Sequence, residues 1–273
     1  MLHFGVLVTA LLLGVRHAFD GDHITAIDNV VRRLVAKGRS ARTVGTWFAL
    51  GHSAVVFLMA VATVAGAKFA GSLLDEHSPA RRALGLFGSL ASVVFLLVLG
   101  LMNLRVLVAA FQGRERQPGG WLLQRAQLVT QPWQMFFVGF LFGLGFDTAS
   151  EIALLVLAGA AAASGASVWL ALAIPVCFAA GMTFFDTLDG WLMGYAYRGA
   201  LRDERAARWY NIAITGLSVF LALGVGTVEL VGLIAGEDIV DLEHVGYVAV
   251  ALFFALWAGW FLLAARRRNP VEL

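Results

Sequence analysis

Eight carboxylates lie inside the long apolar segments of this 273-residue chain, and they restrict its fold more than any other feature. They are Asp20, Asp22, Asp28, Asp147, Glu151, Asp186, Asp189 and Glu229. A charge at the centre of a bilayer costs about 2.5 to 3.5 kcal/mol, so eight acids cannot face lipid. They must point into a bundle or a wet cavity, where the single intramembrane base Arg16 does not balance them. This excess of acid predicts that the chain handles a cation.

The composition separately indicates a membrane protein. Hydrophobic residues make up 60% of the chain, charged residues only 14%, and the mean hydropathy is +0.80. Soluble domains contain about 25% charged residues, so an ordinary soluble globule is excluded. No like-charged or Pro/Ser-rich stretch divides the chain, and we expect one transmembrane domain over residues 1–273. The single cysteine, Cys177, excludes an internal disulfide and a thiolate metal cluster.

Seven segments are long and apolar enough to cross a bilayer as helices. A hydrocarbon core of about 30 Å requires roughly 20 mostly apolar residues per helix. The segments are 3–31, 44–67, 84–104, 132–161, 167–196, 209–235 and 244–265. The sequence therefore predicts an all-α, polytopic membrane protein with seven transmembrane helices.

The basic residues predict the orientation of these helices. The connections after the first, third and fifth spans and the carboxyl-terminal tail hold sixteen Lys and Arg residues, whereas the alternate connections hold three. Positive loops stay in the cytoplasm, which places the amino terminus outside and the carboxyl terminus inside. We expect a multi-pass protein of the inner (cell) membrane of a prokaryote. Topology also explains the pI near 9.0, so no nucleic-acid partner is expected.

The first span carries the densest set of polar residues, RHAFDGDHITAIDN at positions 16–29. Imidazole and carboxylate are ligands that Ni, Co, Zn and Fe accept from a protein without thiols, whereas Mg and Ca favour oxygen alone. The span therefore predicts a site for a divalent transition metal. Its candidate ligands are His17, Asp20, Asp22 and His23. The alternative is that these side chains form interhelical hydrogen bonds in a packed bundle.

The spacing of the candidate ligands predicts a break in this helix. On an ideal helix Asp22 and His23 lie roughly 140° and 120° away from His17. The three side chains can converge on one ion only if the helix unwinds, and Gly21 is well placed to allow it. Broken helices at mid-membrane are where secondary transporters build their sites.

Two further acidic pairs lie inside later spans. Asp147 and Glu151 are four residues apart, and Asp186 and Asp189 are three apart, so each pair shares a helix face and could act as a relay. Each pair begins with a Phe-Asp step, as does the acidic part of the first span. An internal repeat would account for this similarity, and so would coincidence.

The remaining histidines carry weaker signals. His52, in the second span, is either an additional metal ligand or a donor to a neighbouring carbonyl group. His3 could join the amino terminus in wrapping a square-planar ion. His77 and His244 flank outer loops, and we expect no metal role for them.

With these residues identified, the chain resembles the nickel/cobalt transporter (NiCoT) family over most of its length. Four stretches carry the resemblance: residues 16–29, then LGHS at 50–53, LGFDTASEI at 144–152 and GMTFFDTLDGWLMGYAY at 181–197. The first contains the family's His-x4-Asp-His pattern as His17, Asp22 and His23, and the resemblance implies that these residues are central to metal selection and transport.

The other stretches imply further polar residues that are important for passage of the ion. These are His52, Asp147, Glu151, Asp186 and Asp189. The chain departs from the family at Gly21, where members usually have Ala. Many members also have an additional helix before the first of these stretches, which this chain is expected to lack.

The expected function is secondary-type transport of Ni2+ and/or Co2+ across the cytoplasmic membrane, in the direction of uptake. We expect no enzymatic activity and no cofactor, because the metal ion is the transported substrate. A G-x-x-x-x-G-K-[ST] segment is absent, so no bound nucleotide is expected, and energy comes from the membrane potential, a proton gradient or a separate ATPase. The alternatives are an exporter of related fold, a binding subunit of a larger complex, and a membrane-embedded metalloenzyme, although no H-E-x-x-H is present.

Overall fold

The computed structural model describes residues 2–64, 79–112, 129–145, 149–164, 166–200, 204–236, 240 and 242–268. Within these residues the chain forms nine α-helices and one 3₁₀ turn, and no strand. The helices are α1 Leu2–His17, α2 Gly21–Ala36, α3 Val44–Val64, α4 Pro79–Phe111, α5 Met135–Gly143, α6 Ala149–Ala163, α7 Val168–Ala200, α8 Glu204–Ala235 and α9 Leu242–Arg268. The chain is therefore an all-helical protein, as predicted.

Several helices are long and apolar enough to cross a membrane. In the described ranges four pass this test alone: Val44–Val64, Gly85–Ala109, Val168–Tyr195 and Thr215–Ala235. The helices α1 and α2 pass it together, as a pair bent by 58°. Two apolar stretches, Ser150–Ala163 and His244–Phe253, are shorter. The protein is thus a helical membrane protein with four or five spans by length and composition, and the predicted number of seven stays a prediction.

The first apolar segment is interrupted between α1 and α2. The N–H groups of Phe19 and Asp20 donate to the carbonyl groups of Arg16 and His17 at 3.1 and 2.9 Å, which is the tighter pattern of a helix end. Asp20 is then extended, with φ −64° and ψ 142°, and it is the N-cap of α2, a position that Asp favours. Gly21 is the first residue of α2. The predicted break at Gly21 is confirmed.

The helices α1 and α7 cross in backbone contact. A Cβ atom added to Gly14 of α1 would overlap the carbonyl oxygen of Phe178, and one added to Gly181 of α7 would overlap that of Leu11. Small residues allow such close approach, and van der Waals packing then holds membrane helices together. This crossing fixes the end of α1 against α7.

The helices α3 and α5 cross in the same way. A Cβ atom on Gly51 would overlap the carbonyl oxygen of Phe136, and one on Gly139 would overlap that of Phe48. At both crossings each helix contributes one glycine and one carbonyl group that contacts the glycine of the other helix. In every case the glycine follows the residue with that carbonyl group by three positions. The two crossings share this geometry, and the internal repeat stays a prediction.

Apolar side chains fill the rest of the bundle. One buried cluster joins α2 to α4, α8 and α9 through residues such as Ile27, Leu96 and Phe253. A second cluster joins α1, α3, α6 and α7. Large apolar side chains also point outward, as Phe220 does with 71% of its surface exposed. An outward apolar surface is what contact with lipid requires.

Candidate metal site

Three buried imidazoles from three helices converge at the break in the first segment. His17 is the last residue of α1, His23 lies in the first turn of α2, and His52 belongs to α3. At most 3% of any of these residues is exposed. Their ring centroids are 4.7 to 4.8 Å apart. The break between α1 and α2 is what allows the first two rings to face each other.

The spacing of the nitrogen atoms suits a metal ion. One nitrogen from each ring lies within 4.8 Å of the other two, and the Nε2 atoms of His17 and His52 are 3.0 Å apart. Two nitrogens that bind one ion at about 2.1 Å each, at right angles, are also separated by about 3.0 Å. Imidazole suits Ni, Zn, Cu and Fe. Within the residues that the structure describes, these three histidines form a group of potential ligands that could hold a metal ion.

A carboxylate from α6 approaches two of these rings. The Oε1 atom of Glu151 lies 2.8 Å from Nε2 of His52 and 4.0 Å from Nε2 of His17. Glu151 is 1% exposed. Its oxygen therefore faces the place where the two Nε2 atoms meet, and it can add an oxygen ligand to the three nitrogens.

Two other side chains contact the opposite nitrogens of the rings. Oδ2 of Asp186, in α7, lies 3.3 Å from Nδ1 of His23. The hydroxyl group of Ser150, in the first turn of α6, lies 3.3 Å from Nδ1 of His17. A ligating imidazole usually has such a partner on its second nitrogen. Sequence reasoning missed Ser150, because a lone serine in an apolar helix gives no signal of its own.

Two of the four predicted metal ligands lie at the break but outside the group of imidazoles. Asp22 is half-buried, and its Oδ1 accepts a hydrogen bond from the backbone N–H of His23 at 2.7 Å. It thereby satisfies one of the free N–H groups at the start of α2. Asp20 is 3% exposed and occupies the N-cap position of the same helix, where its side chain makes no capping hydrogen bond. The structure brings His17 and His23 together with His52 rather than with Asp22.

The other candidates are placed as follows. Asp147 lies outside the described residues, as do His77 and the side chain of His3. Asp189 is half-buried in α7, and its Oδ2 has no hydrogen-bond partner in the described ranges. His244 is exposed on α9.

A second set of buried polar side chains lies further along α2. The two carboxylate oxygens of Asp28 accept hydrogen bonds from the hydroxyl group of Tyr197, in α7, and from that of Ser218, in α8, the latter at 2.5 Å. All three residues are at most 4% exposed. These contacts tie α2 to two neighbouring helices.

Adjacent residues of α2 make further ties. The side-chain amide of Asn103, in α4, donates to Asn29, and Nη1 of Arg32 donates to Thr215 of α8 at 3.0 Å. We call the whole set the Asp28 cluster: Asp28, Asn29, Arg32, Asn103, Tyr197, Thr215 and Ser218. The sequence marks Asp28 as an intramembrane acid, but each partner is a single polar residue whose neighbour in space cannot be read from spacing.

Comparison with known proteins assigns the chain a set of relatives. Residues 3–263 match the model of a family described as high-affinity nickel-transport protein. The chain is 43% identical to the nickel transporter NicT of Mycobacterium tuberculosis, over 93% of this chain and 77% of that protein. It is 39% identical to the nickel transporter NixA of Staphylococcus aureus, over 93% and 83% of the two chains.

A relative with a different named metal is also similar. The cobalt transport protein NhlF of Rhodococcus rhodochrous is 35% identical over 93% of this chain and 81% of its own length. No solved structure matches the chain significantly.

Proposed function

We propose a function for this chain from the premise that it belongs to the family of high-affinity nickel-transport proteins. Its relatives are named as transporters of nickel and, in one case, of cobalt. The chain is therefore a membrane transporter of nickel or cobalt ions and not an enzyme. The metal ion is its transported substrate rather than a cofactor.

The transported ion binds between His17, His23 and His52. The observation that carries this proposal is the presence of three buried nitrogens within 4.8 Å of one another, drawn from three helices. Nitrogens that bind one ion at about 2.1 Å lie at most about 4.2 Å apart, so the group has to close by about 0.6 Å. Side-chain rotation alone supplies a movement of this size. Three imidazoles form a neutral set that selects transition metals over Mg2+ and Ca2+.

The carboxylates near the imidazoles balance the charge of the ion and guide its passage. Glu151 is the nearest of them, at 2.8 Å from His52, and it supplies an oxygen ligand. The remaining acids that we assign to the passage are Asp20, Asp22, Asp147, Asp186 and Asp189. Their number supports this role, because buried acids in a membrane are costly unless a cation or a hydrogen-bond donor meets them.

The chain crosses the inner membrane of a prokaryote seven times as a single domain over residues 1–273. Within the described ranges the nine helices form seven units that overlap the seven predicted segments, if α1 with α2 and α5 with α6 each count as one broken span. The charge bias of the loops supports an outer amino terminus and a cytoplasmic carboxyl terminus. In this topology α2 leads from the imidazoles toward the cytoplasm.

Transport is of the secondary type and runs inward. A membrane potential contributes about 4.6 kcal/mol per 100 mV to the entry of a doubly charged ion. This driving force requires no nucleotide and no second substrate. Release then depends on weakening of the imidazole site on the cytoplasmic side.

Uptake into liposomes that contain only this chain tests the proposal. With an inside-negative potential we expect uptake of Ni2+ or Co2+ and much less of Mn2+, while Zn2+ tests the width of the selectivity. His17→Ala should abolish uptake without loss of folded protein, because one of three nitrogen ligands is removed. Full uptake by this variant would remove the imidazole site from the proposal.

A matched histidine substitution provides the control. His244 is exposed on α9, and His244→Ala should transport at the rate of the unsubstituted chain. Uptake that appears only after addition of a separate ATPase complex would instead identify the chain as a binding subunit.

A further inference from the structure

The two ring nitrogens of His23 have different surroundings. Nδ1 lies 3.3 Å from Oδ2 of Asp186, and both side chains are at most 1% exposed. Nε2 is also buried, and it has no hydrogen-bond partner in the part of the chain that the structure describes. A buried polar atom without a partner is rare, because its desolvation is not compensated. Because His23 lies among two other imidazoles, we take the transported ion as the partner of its Nε2.

The contact with Asp186 determines which nitrogen of His23 is free to bind. A neutral imidazole carries a hydrogen on one nitrogen and a lone pair on the other. We take Asp186 as ionised. An ionised carboxylate only accepts hydrogen bonds, so it stabilises the tautomer with the hydrogen on Nδ1. In that tautomer Nε2 presents its lone pair, which is the form that a metal ion requires.

Close packing holds both partners in place. A Cβ atom on Gly45 of α3 would overlap the carbonyl oxygen of Asp186, so α3 and α7 are in backbone contact at this residue. The ring of Phe48 packs edge-on against His23, with centroids 4.7 Å apart and an angle of 84° between the planes. The imidazole is thus held between an aromatic ring and a carboxylate whose helix cannot approach further.

We propose that Asp186 is a positioning residue, which fixes the tautomer and the orientation of His23 for the transported ion and does not bind the ion itself. The inference rests on the proposed function, since it takes His23 as a ligand. A direct role as ligand is the alternative for Asp186. The two nitrogens of an imidazole point in nearly opposite directions, and Asp186 lies on the Nδ1 side. The geometry therefore places it behind the ring.

A double-substitution experiment on the purified full-length chain separates the two roles. Calorimetric titration with Ni2+ should show that Asp186→Ala lowers the affinity by about 10- to 100-fold, as loss of a partner behind a ligating histidine does. In a His23→Ala background the same substitution should change the affinity by less than about twofold, because the residue through which it acts is absent. An equal loss in both backgrounds, or no loss in either, would overturn the proposal.

A second measurement requires no bound metal. Nitrogen-15 NMR of the chain labelled on histidine distinguishes a ring nitrogen that carries hydrogen from one that does not, and His23→Ala assigns the signals of His23. We expect hydrogen on Nδ1 and not on Nε2, and a mixture of tautomers in Asp186→Ala. Hydrogen on Nε2 of His23 in the unsubstituted chain contradicts the proposal, whatever the stability of the variants.

The adjacent residue supplies a matched control. The hydroxyl group of Thr187 is hydrogen-bonded to that of Thr46 at 2.8 Å, so Thr187→Ala removes a contact between the same two helices without touching an imidazole. It should leave both the Ni2+ affinity and the His23 signals unchanged. If the unsubstituted chain binds no Ni2+ but shows the expected tautomer, the proposed function fails; if it binds Ni2+ with the opposite tautomer, only the role of Asp186 fails.

Discussion

His23 and Asp28 lie five residues apart on α2, and they differ in whether all their polar side-chain atoms have hydrogen-bond partners. At Asp28 both carboxylate oxygens receive a hydrogen bond, one from Tyr197 and one from Ser218. At His23 one ring nitrogen faces Asp186 and the other has no partner in the described part of the chain. The carboxylate of Asp28 is complete without a ligand, whereas the imidazole is not. The proposed functions of the two residues follow this difference: Asp28 joins helices, and His23 binds the ion.

The difference has a physical basis in the partners that each residue meets. Hydroxyl groups donate to a carboxylate and satisfy it, so the carboxylate of Asp28 is stabilised without a ligand. At the other site the Nε2 atoms of His17 and His52 face each other at 3.0 Å, and only one hydrogen can lie between them. Substitutions should therefore lower stability at the Asp28 cluster and metal binding at the imidazoles.

The largest effect is expected for His52→Ala. Removal of a ligand should lower the Ni2+ affinity more than removal of a residue that only holds a ligand in place. We therefore expect the Ni2+ affinity to fall by more than about 100-fold. The melting temperature without metal should fall only modestly, because the substitution removes the contacts of His52 with His17 and Glu151 but none within the Asp28 cluster. Titration calorimetry and thermal unfolding in detergent measure the two quantities. A large loss of stability together with unchanged Ni2+ affinity would show that His52 has a structural role and does not bind the metal.

Asp28→Asn should show the opposite pattern. The amide keeps one acceptor oxygen, but its NH2 group replaces the other, so the hydrogen of one buried hydroxyl group loses its acceptor. We expect a loss of about 1 to 3 kcal/mol in the free energy of unfolding, measured by denaturant titration. The Ni2+ affinity of the folded fraction should stay within about twofold. A 100-fold loss of affinity would place Asp28 in the metal site instead.

Ser218→Ala tests one hydrogen bond of the same cluster. Interhelical hydrogen bonds in membrane proteins contribute about 0.6 kcal/mol on average and up to about 1.7, so the loss of stability should fall in this range. The exposed Ser164, whose hydroxyl group bonds to the carbonyl group of Ala161 in its own helix, provides the control. Ser164→Ala should leave the unfolding curve unchanged.

The smallest effect is expected for Gly21→Ala, which changes neither site but lies at the break that separates α1 from α2. Ala fits the first turn of a helix, and family members usually carry it here, so uptake should stay close to that of the unsubstituted chain. Gly21→Val adds a β-branched side chain to a buried position and should lower uptake clearly. Equal rates for Val and Ala would show that the break tolerates any residue.

Part of this site could be predicted from sequence. The angular separation of His17 and His23 on an ideal helix required a break, and an Asp-Gly-Asp step supplied residues that favour the start of a new helix. These are local properties, and local geometry follows from the residues themselves. The all-helical membrane fold likewise follows from the length and apolarity of the segments.

The third imidazole could not be predicted in the same way. The sequence named Asp22 as a ligand together with His17 and His23 and left His52 as one of two alternatives, whereas the structure brings His52 close to these two imidazoles. Asp22 has a competing local partner, the backbone N–H of His23, and such short-range hydrogen bonds often capture an aspartate at the start of a helix. The approach of His52 depends on how α3 packs, which no spacing within the chain reveals. The partners of Asp28 were missed for the same reason.

Glycines on α3 determine how closely this helix approaches its neighbours beside the imidazole site. Gly45 and Gly51 bring the backbone of α3 into contact with α7 and α5, and α3 itself carries His52. At these contacts each glycine contributes only backbone atoms. The distance between α3 and each neighbouring helix is therefore set by the backbones themselves, and it determines where α3 holds His52. A single methyl group added at position 45 or 51 would push α3 away from a neighbouring helix and shift His52 with it, although all three imidazoles would still be present. The size of ion that fits is therefore adjustable from positions that never touch an ion.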